Sequence, residues 1–125
     1  MRVRQLFLPV IITGFFFFSG CNPNELKKDT DQIGDVMCRN IEVMNKLRAA
    51  NPDDTATINK LQADVKKIQN EMTILYQEFK KKYANKLQDK EFNKKFSSEL
   101  RRTMLDNCQS LSKQDREQFQ KDLGK

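Results

Sequence analysis

The chain has 125 residues, enough for one domain, and it is charged and basic, with a formal net charge of +6 and 32% Asp, Glu, Lys and Arg. It contains no histidine, which removes the commonest general base and the mixed Cys/His zinc sites. Its four glycines include no phosphate-cradling loop.

The first twenty residues differ from the rest. Arg2 and Arg4 give a positive start, and an apolar run follows from Leu6 to Phe18, broken by Pro9, Thr13 and Gly14. A membrane-spanning helix needs about 20 apolar residues, so this run is too short to span and has the size and flanks of a secretory signal. The segment closes Phe18-Ser19-Gly20-Cys21. Here the chain resembles bacterial lipoproteins, whose lipobox has an aliphatic residue, two small residues and then cysteine. Ser19, Gly20 and Cys21 fit that pattern, while Phe18 stands where leucine is usual. The resemblance implies a diacylglycerol on the Cys21 thiol, cleavage before Cys21 and acylation of the new amino group. It covers the signal region alone and specifies processing, not activity. With more than one acyl chain, at about 0.8 kcal/mol per buried methylene, release from the membrane becomes negligible. Asn22 follows the cysteine, not the Asp of enterobacterial inner-membrane retention, which favours an outer-membrane destination in the cell envelope.

Three cysteines, Cys21, Cys38 and Cys108, are an awkward number for a secreted chain. Lipid on Cys21 leaves an even pair in an oxidising compartment. Loss of Arg2 and Arg4 with the signal lowers the formal charge from +6 to +4. The expected division is a cleaved signal over 1–20, a lipidated cysteine with a flexible polar tether over 21–30, and a helical domain over 31–125.

The first helix is expected over 31–50, where Ile33, Val36, Met37, Ile41, Met44 and Leu47 recur at three- and four-residue spacing. Gly34 weakens its first turn. Asn51-Pro52-Asp53-Asp54 breaks it, and Asp53 or Asp54 can cap the next helix. The second helix has the strongest pattern: Ile58, Leu61, Val65, Ile68, Met72, Leu75 and Phe79 alternate three- and four-residue steps as a heptad seam. The seam fails at Lys82 and moves by four residues to Tyr83 and Leu87. Helix over 54–87 would be about 50 Å long. Asp89 can cap a third helix carrying Phe92, Phe96, Leu100, Met104, Cys108 and Leu111. Ser112 with Asp115 makes a capping-box pattern for a short fourth helix through Phe119 and Leu123, ended by Gly124. No segment alternates as a strand.

The expected fold is all-α: an antiparallel three-helix bundle, or coiled-coil hairpin, with a long central second helix and a short C-terminal fourth. Folding the first helix back around residue 52 brings Cys38 level with about residue 66, and folding the third back around residue 88 brings Cys108 level with about residue 68. The offset along the axis is then about 5 Å at 1.5 Å per residue, close enough for a Cys38–Cys108 disulfide.

No cluster reads as catalytic, metal-binding or cofactor-binding, and the chain is expected not to be an enzyme. The uneven feature is charge. Lys80, Lys81, Lys82, Lys86, Lys90, Lys94, Lys95, Arg101 and Arg102 crowd one stretch, opposed by Asp89, Glu91 and Glu99. They surround the turn between the second and third helices, which in this layout projects beyond the first helix as a basic tip, while Tyr76 and Tyr83 nearby read as core. The tip is a candidate patch for anionic lipid or polysaccharide phosphates, set against an ordinary solvated lysine surface. The expected function is a lipid-anchored, non-catalytic helical module that binds another envelope or surface protein; the alternatives are an anionic-ligand binder and a self-assembling coiled coil. A monomer is favoured over a homo-oligomer, and nucleic acid is not an expected partner.

Overall fold

The structure, a computed structural model, describes residues 23–124. The signal over 1–20 and the lipobox cysteine, Cys21, lie outside the described residues. Four helices follow in chain order: α1 (Pro23–Ala49), α2 (Thr55–Lys82), α3 (Lys90–Asn107) and α4 (Lys113–Leu123), with no strand among the described residues.

α1 begins eight residues earlier than its apolar pattern suggested. Residues 23–30, expected as a flexible tether, are helical. Pro23 suits a first helical position because its fixed φ is already helical and its missing N–H is not needed there. Glu25 in the first turn and Lys46 and Arg48 in the last complement the helix dipole. What holds the early turns is Leu26, which is 0% exposed and belongs to the same apolar cluster as Tyr83 and Phe92. Thr30 is also 0% exposed, and its hydroxyl donates to the Lys27 carbonyl at 2.8 Å, so no polar atom of its side chain is stranded.

The breaks follow local chemistry. Asn51 accepts the Asp53 N–H on its side-chain oxygen at 3.1 Å and the Asp54 N–H on its carbonyl at 2.9 Å. Of the two candidate caps, Asp54 is the one used, accepting the Thr57 N–H at 3.1 Å. α2 stops at Lys82, where the seam breaks, and not at 87. Tyr83 caps it with an N–H to the Phe79 carbonyl at 3.0 Å and is itself only 5% exposed. Residues 83–88 form turns, tied to α3 by Asn93, whose side-chain amide donates to the Leu87 carbonyl at 2.9 Å. Asp89 caps α3 by accepting the Glu91 N–H at 2.8 Å. Ser112 caps α4: its oxygen accepts the Asp115 N–H at 3.0 Å while its hydroxyl donates to the Asp115 carboxylate at 2.7 Å. Gly124 closes α4 in right-handed geometry (φ −79°), so its position there does not depend on glycine's access to positive φ.

The packing corrects the expected hierarchy. The seam-bearing α2 is not the central element: α1 packs on both α2 and α3, and α3 in turn carries α4. Between α2 and α3 no close backbone approach occurs among the described residues; they meet through aromatic side chains at the turn. As residue numbers rise along α1 they fall along its α2 neighbours, with Asp29 on Lys82 and Arg39 on Glu71. Along α3 they rise together, with Asp31 bonded to Thr103 and Cys38 bridged to Cys108. The physical reason is that α1 carries two usable faces. One side offers Ile33 and Met37 to the α2 seam. The other offers Gly34, where an added Cβ would lie 2.7 Å from the Thr103 Cγ2, so the missing side chain lets α3 approach closely.

Two apolar clusters result. The first joins Leu26, Ile33, Phe79, Tyr83 and Phe92, with Phe96 against it. Ring centroids there are 4.6 Å apart for Phe79–Tyr83 and for Phe79–Phe96, and 5.1 Å for Tyr83–Phe92, distances that add to the hydrophobic gain. The second joins Met104, Cys108 and Leu111, flanked by Ile41 and Phe119. The Cys38–Cys108 disulfide pins α1 to the end of α3 with a Cα–Cα distance of 5.4 Å. Arg116 fastens α4 by donating to the Leu105 and Cys108 carbonyls at 3.0 and 2.8 Å, oxygens left without helical partners at the end of α3.

Candidate functional site

The basic residues near the second turn are divided by the fold. Lys80, Lys81 and Lys82 close α2, Lys86 lies in the turn, and Lys90, Lys94 and Lys95 open α3. These seven share one end of the molecule, because Leu26 near the start of α1, Tyr83 at the end of α2 and Phe92 near the start of α3 meet in one cluster. Arg101 and Arg102 do not belong with them. Eleven residues of helix carry Arg101 about 16 Å along the axis from Lys90. There Arg101 faces Asp122 of α4 at 3.6 Å, and Arg102 pairs with Glu99 at 3.4 Å.

With Asp31 bonded to Thr103, Pro23 lies level with about residue 95 of α3, so the start of α3 extends past the start of α1. The first turns of α1 add Lys27 and Lys28 to this end, and with them Glu25 and Asp29, which reach Lys82 of α2. Lys82 is consumed by this contact: it donates to Asp29 at 2.7 Å, with Glu25 at 3.9 Å and the Tyr83 ring centroid at 5.5 Å. The hydrogen bond to Asp29 raises the Lys82 pKa, against an opposing effect of burial. Asp29 also accepts the Tyr83 hydroxyl at 2.7 Å, so one carboxylate ties α1 to the capping tyrosine and the last lysine of α2. Lys27 pairs with Asp31 at 2.8 Å, which raises the lysine pKa and lowers that of the carboxyl.

Lys80, Lys81, Lys90, Lys94 and Lys95 remain exposed. Lys80 sits 5.0 Å from the centroid of the Tyr76 ring, itself 55% exposed, so Tyr76 is a surface residue and only Tyr83 is core. Sequence reasoning missed Lys27, Lys28 and Asp29 as parts of this end. The signal for them was Leu26, one heptad before Ile33 on the same stripe.

Elsewhere the described residues offer little chemistry. No group of three or more His, Cys, Asp or Glu side chains is placed to hold a metal ion among them. A groove of about 500 Å³ is lined by Met37, Asn40, Ile41, Gln69, Met72 and Thr73; the Asn40 Oδ1 is buried without a hydrogen-bond partner. No helix among the described residues is long and apolar enough to cross a membrane. No protein family, curated protein or solved structure matches the chain.

Proposed function

We propose that this protein is a lipid-anchored, non-catalytic envelope protein, held in a bacterial membrane by acyl chains on Cys21, whose antiparallel helical module engages a protein partner through its exposed faces. One observation carries the reading: Cys38 and Cys108 are bonded to each other, which leaves Cys21 as the one unassigned thiol, directly behind Ser19-Gly20 and an apolar run of signal length. The outer membrane is the favoured address. The test is the mass of the N-terminal peptide from membrane-fractionated protein. A peptide beginning at Cys21 and carrying diacylglyceryl supports the reading, as does loss of membrane association in Cys21→Ser. A free Cys21 thiol in a chain that retains residues 1–20 sinks it.

A second reading, binding of anionic lipid or polysaccharide phosphate, is favoured by the way charge is distributed. Nine lysines and six carboxylates lie at the end formed by residues 23–31 and 78–95, whereas the remaining described residues hold eleven basic and eleven acidic side chains. The whole positive excess of the described domain is therefore at that end.

A further inference from the structure

We infer that the lysine-bearing end of the bundle is a membrane-apposed face whose partner is the anionic phosphate headgroups of the same lipid surface that holds Cys21. This rests on the anchored reading above and adds an orientation and a ligand to it. α1 is helical from Pro23, and its first turns are docked by Leu26, which is 0% exposed, so no slack tether separates fold from anchor. Two residues of chain span at most about 7 Å, which bounds the distance from Pro23 to the lipid-bearing residue. The end that α1 starts from is also the end where α2 stops and α3 begins, because Leu26, Tyr83 and Phe92 share one cluster. Acyl chains on Cys21 therefore draw this end, and no other, to the headgroup layer.

The chemistry of the end suits that layer. Among the described residues no carboxylate pairs with Lys81, Lys90, Lys94 or Lys95, all of them exposed, while Glu25 and Asp29 are engaged with Lys82, and Asp31 with Lys27. Asp89 is occupied in capping α3, where it accepts the Glu91 and Phe92 N–H groups, and Glu78 and Glu91 are the remaining exposed carboxylates of this end. The attraction of basic side chains to an anionic surface decays within a Debye length, about 8 Å at physiological salt, so it acts only on charges held as close as this anchor holds them. The opposite end of α1 and α2, with Asp53 and Asp54 in its turn, points away from the surface and gains nothing from it.

The test uses the full chain, processed and purified from envelopes and reconstituted in vesicles of phosphatidylcholine alone or mixed with phosphatidylglycerol. Lysines are footprinted with an amine-reactive label and read by peptide mass spectrometry. Expected is a severalfold drop in labelling of Lys80, Lys81, Lys90, Lys94 and Lys95 on the anionic vesicles alone, reversed by high salt, with Lys60, Lys66 and Lys67 of the distal half of α2 unchanged. In the variant carrying Lys81→Gln, Lys90→Gln, Lys94→Gln and Lys95→Gln, the protection of Lys80 is expected to be lost. Equal labelling on both vesicles with lipid present on Cys21 overturns the headgroup contact and leaves the anchored reading standing. Protection that extends equally to Lys60, Lys66 and Lys67 overturns the orientation. Absence of lipid from Cys21 overturns both this inference and the reading beneath it.

Discussion

Replacing Leu26 with alanine separates a docked first turn from a tether more sharply than any other single change. Were residues 23–30 a flexible tether, the substitution would remove an exposed side chain and leave stability within about 0.5 kcal/mol of the original. In the structure Leu26 is 0% exposed and lies among Ile33, Phe79, Tyr83 and Phe92. Truncating a buried leucine costs about 2–5 kcal/mol, through lost transfer energy and the cavity left behind. Leu26 sits in the first turn of α1, where the backbone can fray and partly relax the cavity, so about 2–3 kcal/mol is expected. For a domain of this size that lowers the Tm by roughly 8–20 °C. Urea unfolding of the oxidised protein, followed by helical circular dichroism, measures it, with Lys28→Ala as the exposed control. A loss below about 0.5 kcal/mol for Leu26→Ala would refute the docking of residues 23–30, and with it the close coupling of fold to anchor.

Reduction of the disulfide, or Cys38→Ala with Cys108→Ala, should destabilise by about 4 kcal/mol from the chain-entropy model, since the two residues are 70 apart in sequence; denaturant midpoints with and without reductant measure it, and coincident midpoints would be inconsistent with the bond. Gly34→Ala should destabilise by about 1–2 kcal/mol despite alanine's better helix propensity. The Thr103 methyl stands 2.7 Å from the new Cβ and is held there by the Thr103 hydroxyl's 2.8 Å bond to Asp31. Thr103→Ser removes that methyl and keeps the hydroxyl, so the double variant should recover most of the loss; additive losses in the cycle would refute the steric cause. Stability should also fall in acid. The Asp31 carboxyl is lowered chiefly by the hydrogen bond from Lys27 and that of Glu71 chiefly by the one from Arg39. Depressed folded values contribute stability that is present above the unfolded carboxylate range, near 4, and is lost as pH falls through the lower folded values. Lys27 and Lys82 are raised and act in the opposite window: their contribution is present below about 10.5 and is lost as pH rises through the folded values. Glu71→Gln should flatten part of the acid limb, and an unchanged urea midpoint-versus-pH curve would contradict that assignment.

Helix breaks were largely legible because their causes are local. Asp54, Asp89 and Ser112 each cap with a side chain that reaches an N–H two or three residues ahead, so the relevant atoms are neighbours in sequence. The stop of α2 was half legible. The seam shift at Lys82 and Tyr83 is visible in the residues, but a four-residue step is equally compatible with a continuing helix. What ends the helix is Tyr83 packing at a tilt against Phe92 across the turn and bonding to Asp29, which is far away in sequence. The same limit hid the start of α1, where Leu26 is one apolar residue amid polar ones until Tyr83 and Phe92 cover it. It also made the long seam of α2 look like the centre of the fold, when the weaker-patterned α1 touches two neighbours.

For the basic end, the residues alone showed that lysines crowd the stretch from Lys80 to Lys95. They could not show that Arg101 leaves the group for Asp122, that Lys82 is taken by Asp29, or that Lys27 and Lys28 join it. Composition, periodicity and capping determined an all-helical chain, its breaks and a cysteine pair brought level by the folding of one helix on the next. Tertiary structure decided which helix is shared and which charges are exposed, and it carried α1 to the start of the described chain. The reason is physical: caps and periodicity act over a few residues, whereas burial and ion pairing depend on side chains that folding brings in from other helices, as with Arg101 and Asp122 or Lys82 and Asp29.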